Sequence, residues 1–88
     1  MHNSNDIEFD PVKSLLNFRK HGVRFSDAEL VLRDAHALTV EDAFTEDEQR
    51  FITMGMDGLG RILIVVHTHR GDRIRLISAR KASPGEAR

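Results

Sequence analysis

Arg61-Ile62-Leu63-Ile64-Val65-Val66-His67-Thr68-His69-Arg70-Gly71-Asp72-Arg73-Ile74-Arg75-Leu76-Ile77-Ser78-Ala79-Arg80 is the stretch that decides the fold. Apolar and β-branched residues fill both halves, and the turn signal Arg70-Gly71 separates them, so residues about 61–69 and 72–80 read as two strands of a hairpin. A third strand-like run, about 49–56, precedes them across the turn Asp57-Gly58-Leu59-Gly60. Three strands in quick succession make an antiparallel meander.

Working back towards the N-terminus, the pattern changes period. Asp10-Pro11 reads as a helix start, because Asp accepts a hydrogen bond from an orphan amide and Pro tolerates the first helical position. The helix is expected over 11–21 and stops at Gly22, which can adopt the left-handed conformation. Val12, Leu15 and Leu16 fall on one side of it, while Lys13, Asn17 and Lys20 form a polar stripe on another. Ser26-Asp27-Ala28-Glu29 matches a capping box and predicts a second helix over about 26–33. Residues 37–40 read as a strand, Ile7-Glu8-Phe9 as a short edge strand, and 41–48 as an acidic loop. The sum is an α+β fold with two N-terminal helices packed on one face of a mainly antiparallel sheet.

Regular turns would set the register. Met56 would then face Arg61, Ile52 would face Val65, Arg50 would face His67, Leu63 would face Ser78 and Arg61 would face Arg80. Paired residues project to one side. One face would carry Arg50, Arg61, His67, Ser78 and Arg80 around Ile52, Leu63, Val65 and Leu76. The other, with Phe51, Thr53, Ile62, Ile64, Val66 and Ile77, would receive the helices. A β-bulge would invert part of this assignment. Arg61 opposite Arg80 is unfavourable unless an anion lies between them. Alternatively, the two arginines pair with Asp57 or Glu86.

The chain of 88 residues is expected to form one domain over 1–88, with 1–6 as a flexible leader and 83–88 as a tail. It has no cysteine, which removes disulfide and thiolate chemistry. No apolar run approaches the length of a membrane span, and the N-terminus lacks a signal-peptide pattern, so a cytoplasmic location with no membrane partner is expected. The net charge of −1 hides a division. Residues 1–48 hold five Lys/Arg against eleven Asp/Glu, and residues 49–88 hold eight against three. That asymmetry is a hint of a surface for polyanions, although folding can equally intermix the charges.

Several segments, in order, carry a resemblance. They are Phe9-Asp10-Pro11-x-Lys13, Asn17-x-x-Lys20-His21-Gly22-Val23-x-Phe25, Arg50-Phe51, Gly55-Met56, Val65-x-His67-Thr68 and Arg73-Ile74-Arg75-x-Ile77-Ser78-Ala79-Arg80-x-Ala82. Over roughly residues 7–83 the chain resembles the BrnT toxins of BrnT/BrnA toxin–antitoxin systems. The resemblance implies a RelE-like fold with a curved sheet and a metal-independent ribonuclease toxin that inhibits translation and arrests growth. It also implies a BrnA-like antitoxin with a ribbon-helix-helix domain, and contact with operator DNA only through the antitoxin complex. Family members commonly continue into a charged C-terminal helix. Here Ser83-Pro84-Gly85-Glu86 opposes one, so that helix is expected to be short or absent.

RNA cleavage without a metal or other cofactor uses the 2′-hydroxyl as nucleophile and needs a base, an acid and cations for the phosphorane. Arg80 is the first choice for the phosphate, with a surface salt bridge as its plain alternative. Lys20 and His21 are candidates for base, acid or charge stabilisation, or else simply compensate the helix dipole. Arg50 and His67 could act as a cation and proton-transfer pair, unless His67 is an ordinary half-buried strand residue. Arg61, Arg75, Lys13, Asn17 and Ser78 are candidate RNA or antitoxin contacts, although Asn17 could instead bond the loop after its helix. His67-x-His69 puts two imidazoles on one side of a strand, but no third ligand stands at a fixed spacing, so no metal is assigned. Without Trp or Tyr, base stacking would fall to Phe44, another Phe or Arg planes. A binding module that kept the toxin scaffold without catalysis, acting with its antitoxin in a repressor complex, is the alternative function.

Overall fold

The computed structural model describes residues 2–4, 6–43 and 48–86. In chain order the elements are β1 (His2–Ser4), β2 (Ile7–Phe9), α1 (Pro11–His21), α2 (Phe25–Leu32), β3 (Leu38–Asp42), β4 (Arg50–Met56), β5 (Ile62–Arg70) and β6 (Arg73–Lys81). The strands form one sheet in the order β1-β2-β6-β5-β4-β3, with β2 and β6 parallel and every other pair antiparallel. This is the expected α+β architecture, with the helices on one face. Two details differ. Ile7–Phe9 is not an edge strand, because it lies between β6 and β1. The backbone of His2–Ser4, expected to belong to a flexible leader, pairs with it.

The helix ends follow local chemistry. The Asp10 carboxylate accepts the Val12 N–H at 2.9 Å, and Pro11 occupies the first position. Gly22 closes α1 with φ +71° and donates its N–H to Phe18 O at 2.7 Å. The capping box at Ser26 does not form. α2 starts one residue earlier, at Phe25, whose N–H is accepted by Ser14 Oγ of α1 at 3.1 Å. A tertiary acceptor has displaced the local one.

The register departs from expectation at both turns and in β6. The first turn is longer by one residue because the Asp57 carboxylate folds it, accepting the N–H groups of Leu59 (3.0 Å) and Arg61 (2.8 Å). Met56 therefore faces Ile62, and His67 faces Phe51 rather than Arg50. The second turn is Gly71-Asp72, with Arg70 facing Arg73. A β-bulge follows: Leu76 pairs with His67 and Ser78 with Val66, which leaves Ile77 unpaired. Leu63, Val65, Leu76 and Ala79 consequently face the helices and join Ile7, Phe9, Val23, Phe25, Ala28 and Val31 in the core. The expected assignment of faces holds for Phe51, Thr53, Arg50, Ser78 and Arg80 and is overturned for Leu63, Val65, Leu76, His67, Ile62, Ile64 and Val66. Leu63, Val65 and Leu76 belong to the helix side, and Arg50, Ser78 and Arg80 to the opposite side.

Gly55 shows how closely α2 approaches the sheet. A Cβ there would stand 3.0 Å from Ala37 Cβ, 3.1 Å from Val31 Cγ1 and 3.2 Å from Asp34 Oδ2. The last atom is fixed by accepting the Met56 N–H at 2.9 Å. Gly55→Ala is expected to destabilise the protein by about 1–3 kcal/mol through overpacking. A urea midpoint lowered without change in slope would show it, and an unchanged midpoint would mean that α2 yields freely.

Candidate functional site

β2 pairs with β6 only at Ile74 and Arg75. Beyond them, α1 lies along the edge of β6, and one side chain takes the place of a strand. Asn17 Oδ1 accepts the Ala79 N–H at 3.1 Å, and Asn17 Nδ2 donates to Ala79 O at 2.7 Å and to Val23 O at 2.9 Å. Its carboxamide copies a ladder rung and also holds the loop after the helix. Asn17 is only 8% exposed, so it is a structural clamp with the loop contact that the sequence allowed.

Two adjoining clefts open beside this clamp. One, of about 250 Å³, is lined by Lys13, Leu16, Asn17, Lys20 and His21 of α1 and by Ile77 and Ser78 of β6. The other, of about 110 Å³, includes Asp10, Lys13, Glu48, Arg50, Arg70, Arg75 and Ile77. Lys13 and the bulged Ile77 line both. Seven of the residues singled out in the sequence thus meet along one surface: Lys13, Asn17, Lys20, His21, Arg50, Arg75 and Ser78.

The charges there are of two kinds. Arg50 and Arg70 share Glu48, at 3.4 and 3.7 Å, and Arg75 holds Glu8 at 3.1 Å. The side chains of Lys13, Lys20 and His21 have no hydrogen-bonding or ionic partner among the described residues. Lys20 and His21 also stand in the last turn of α1, where the helix dipole favours positive charge. The arrangement can take up anionic oxygens at the unpaired cations and offers a lysine and an imidazole within the same cleft.

Three candidates lie elsewhere. Arg61 is a clamp, donating to Asp57 Oδ2 at 2.8 Å, Asp27 Oδ2 at 3.2 Å and Gly22 O at 3.1 Å. It does not face Arg80, which pairs across the sheet with Ile64, so no anion is sandwiched between the two. The guanidinium of Arg80 instead forks onto Glu86, with both bonds at 2.7 Å. Glu86 also accepts the Ser83 N–H at 2.9 Å, and the Arg80 fork leads in drawing its carboxyl down to about 2. Both arginines have taken the carboxylate partners offered as their alternatives.

His67 is buried at 4% exposure, stacked on Phe51 with ring centroids 5.9 Å apart. Its Nε2 is bonded to Thr53 Oγ1 at 2.8 Å, which in turn meets Thr39 Oγ1 at 2.7 Å. Its Nδ1 has no partner among the described residues. Burial, helped by the neighbouring His69, pushes its pKa down to about 4. The pairing with Arg50 is overturned, and His67 lines neither cleft. Among the described residues no three His, Cys, Asp or Glu side chains gather as metal ligands. Phe44 lies outside the described residues.

Sequence reasoning missed Arg70, Glu48, Asp10 and Ile77. Arg70 was hidden because it borders a turn, and the role of Ile77 depends on a bulge that has no local signature.

No helix among the described residues is long and apolar enough to cross a membrane. None of the curated proteins compared with the chain is similar to it. The crystal structure of the Brucella abortus ribonuclease toxin, BrnT, superposes with a TM-score of 0.68 at 29% identity, covering 88% of this chain and 95% of that one. The family model described as the ribonuclease toxin, BrnT, of type II toxin–antitoxin systems matches residues 9–86. A match of that length, over the helices, the meander and both clefts, is decisive: the chain belongs to the BrnT family of ribonuclease toxins.

Proposed function

We propose that the chain is a metal-independent endoribonuclease that cuts RNA in the cleft between α1 and β6, and that a BrnA-like ribbon-helix-helix antitoxin restrains it in the cytoplasm. The observation that carries this reading is the run of basic side chains, Lys13, Lys20 and His21, without a partner among the described residues, along one wall of a cleft that adjoins Arg50, Arg70 and Arg75. A bound RNA strand supplies the missing anions. Lys20 and His21 divide the work of taking the 2′-hydroxyl proton, protonating the 5′-oxygen and stabilising the phosphorane. Lys13 and Ser78 hold the phosphate backbone, while Arg50 and Arg75 extend its path. Arg80 stands two residues from Ser78 on the same face of β6, and it serves the phosphate once Glu86 lets go.

Purified chain incubated with single-stranded RNA is expected to give fragments ending in cyclic phosphates, with or without EDTA. Lys20→Ala is expected to slow cleavage by about 10²-fold, the scale of losing one proton-transfer or charge-stabilising group. Intact RNA from folded protein would leave the scaffold as a binding module within a repressor complex. Cleavage abolished by EDTA would end the metal-independent mechanism.

A further inference from the structure

The helix α1 is amphipathic, yet it is mounted with its polar side inward. Ser14 and Asn17 make its bonds to the rest of the molecule, and Asn17 is its one buried residue. Val12, Leu15 and Leu16, on the opposite side, are 64%, 50% and 56% exposed. Arg19 continues their stripe at helical spacing. Surface helices normally bury such a stripe, so here it is unpartnered.

The charged residues of the helix itself have one sign, with the Asp10 cap at its start. No carboxylate occurs anywhere in Pro11–His21, and the side chains of Lys13, Arg19 and Lys20 form no ion pair among the described residues. RNA accounts for the cations but not for the aliphatic residues. Nucleic acids are held through phosphates and through stacking on aromatic or guanidinium planes, and Val12 and Leu15 offer neither. A helix carrying apolar residues at i, i+3 and i+4, flanked by carboxylates, satisfies both features together. Eleven residues give about 16 Å of surface, enough for about three turns of such a partner.

We propose that the outward face of α1, built from Val12, Leu15, Leu16 and Arg19 with Lys13 and Lys20 alongside, docks an acidic amphipathic helix of the antitoxin. This rests on the reading of the chain as an RNA-cutting toxin with an antitoxin. Leu16, Lys13 and Lys20 also line the larger cleft. A helix seated on α1 therefore covers the cleft entrance and competes with RNA for the same cations, so neutralisation is direct occlusion.

The test uses the full chain and the product of the reading frame adjacent to its gene, co-expressed and purified as a complex. Val12→Ser/Leu15→Ser is expected to weaken that complex by about 100-fold, as loss of central apolar anchors does. Arg19→Glu is expected to weaken it about tenfold through charge reversal. Both variants keep the circular dichroism of the wild type, and the free Val12→Ser/Leu15→Ser chain cuts RNA at the wild-type rate. Leu38→Ser/Val40→Ser, on the far side of the sheet, leaves the complex unchanged. The proposal is overturned if the Val12/Leu15 variant binds as tightly as wild type, if the Leu38/Val40 variant is the one that fails, or if the adjacent product does not bind at all. It is equally overturned if the stripe proves to hold a second copy, seen as a dimer of the chain alone that the Val12/Leu15 variant abolishes. RNA left intact by the free wild-type chain, with the complex weakened as expected, would sink the ribonuclease reading and leave the docking surface standing.

Discussion

Replacing Asn17 with alanine is expected to cost at least about 3 kcal/mol, since each buried group left unpaired costs about 1–3 kcal/mol and three are released. Those groups are Ala79 N–H, Ala79 C=O and Val23 C=O. The loss is large beside the total stability of roughly 4–13 kcal/mol typical for a chain of this length. It should also be local in character. α1 buries no other residue, so without its clamp the helix keeps only the Ser14–Phe25 bond and the Arg24 guanidinium over the Phe18 ring as side-chain ties among the described residues. Hydrogen exchange should accelerate across α1 before the meander is affected. Unchanged protection of the α1 amides in Asn17→Ala would show that the helix is held by something other than the rung.

The second large effect concerns acid. His67 has a folded-state pKa of about 4 against an ordinary value of 6.5, chiefly through burial and secondarily through His69. The unfolded chain therefore takes up this proton more readily than the folded one. The stabilisation that comes with a neutral His67 is complete above about pH 6.5, drains away as pH falls towards about 4, and has gone below that. A shift of this size corresponds to about 3 kcal/mol at the extremes. His67→Leu is expected to flatten this part of the profile, because Thr53 retains Thr39 and no buried imidazole remains to be charged. The carboxyls of Asp34, Asp57 and Glu86 are held low in both proteins, so their contribution cancels in the comparison. Parallel melting-temperature curves for the two proteins from pH 7 to pH 4 would remove His67 as the source.

Much of the fold was legible because its signals are local. Asp10-Pro11 and Gly22 bracket α1, and the turn-rich segments mark the meander. The faces were not legible, for two reasons. Ile62-Leu63-Ile64-Val65-Val66 is apolar at every position, so it offers no alternation from which to choose an inside. The register depends on the folded carboxylate of Asp57 and on an extra residue in β6, and neither follows from composition. The site shows the same division. Lys13, Lys20 and His21 recur on a recognisable helix and could be grouped from the sequence. Arg61 and Arg80 could be read either as facing each other across an anion or as paired with Asp57 and Glu86, and only the true register, which separates them, decides for the carboxylates. Asn17 looked like part of a polar stripe, and only the early end of β2 makes it a substitute strand.

The bulge in β6 has a consequence for how such a chain can vary. Leu76 and Ser78 already pair with consecutive residues of β5, so the strand is one residue longer than its ladder requires. The supernumerary residue, Ile77, is also the wall common to the two clefts. Chain length is thereby uncoupled from sheet integrity at the position that shapes the cleft. A lineage can gain, lose or exchange that residue, and so reshape the cleft wall, without disturbing a rung of the scaffold.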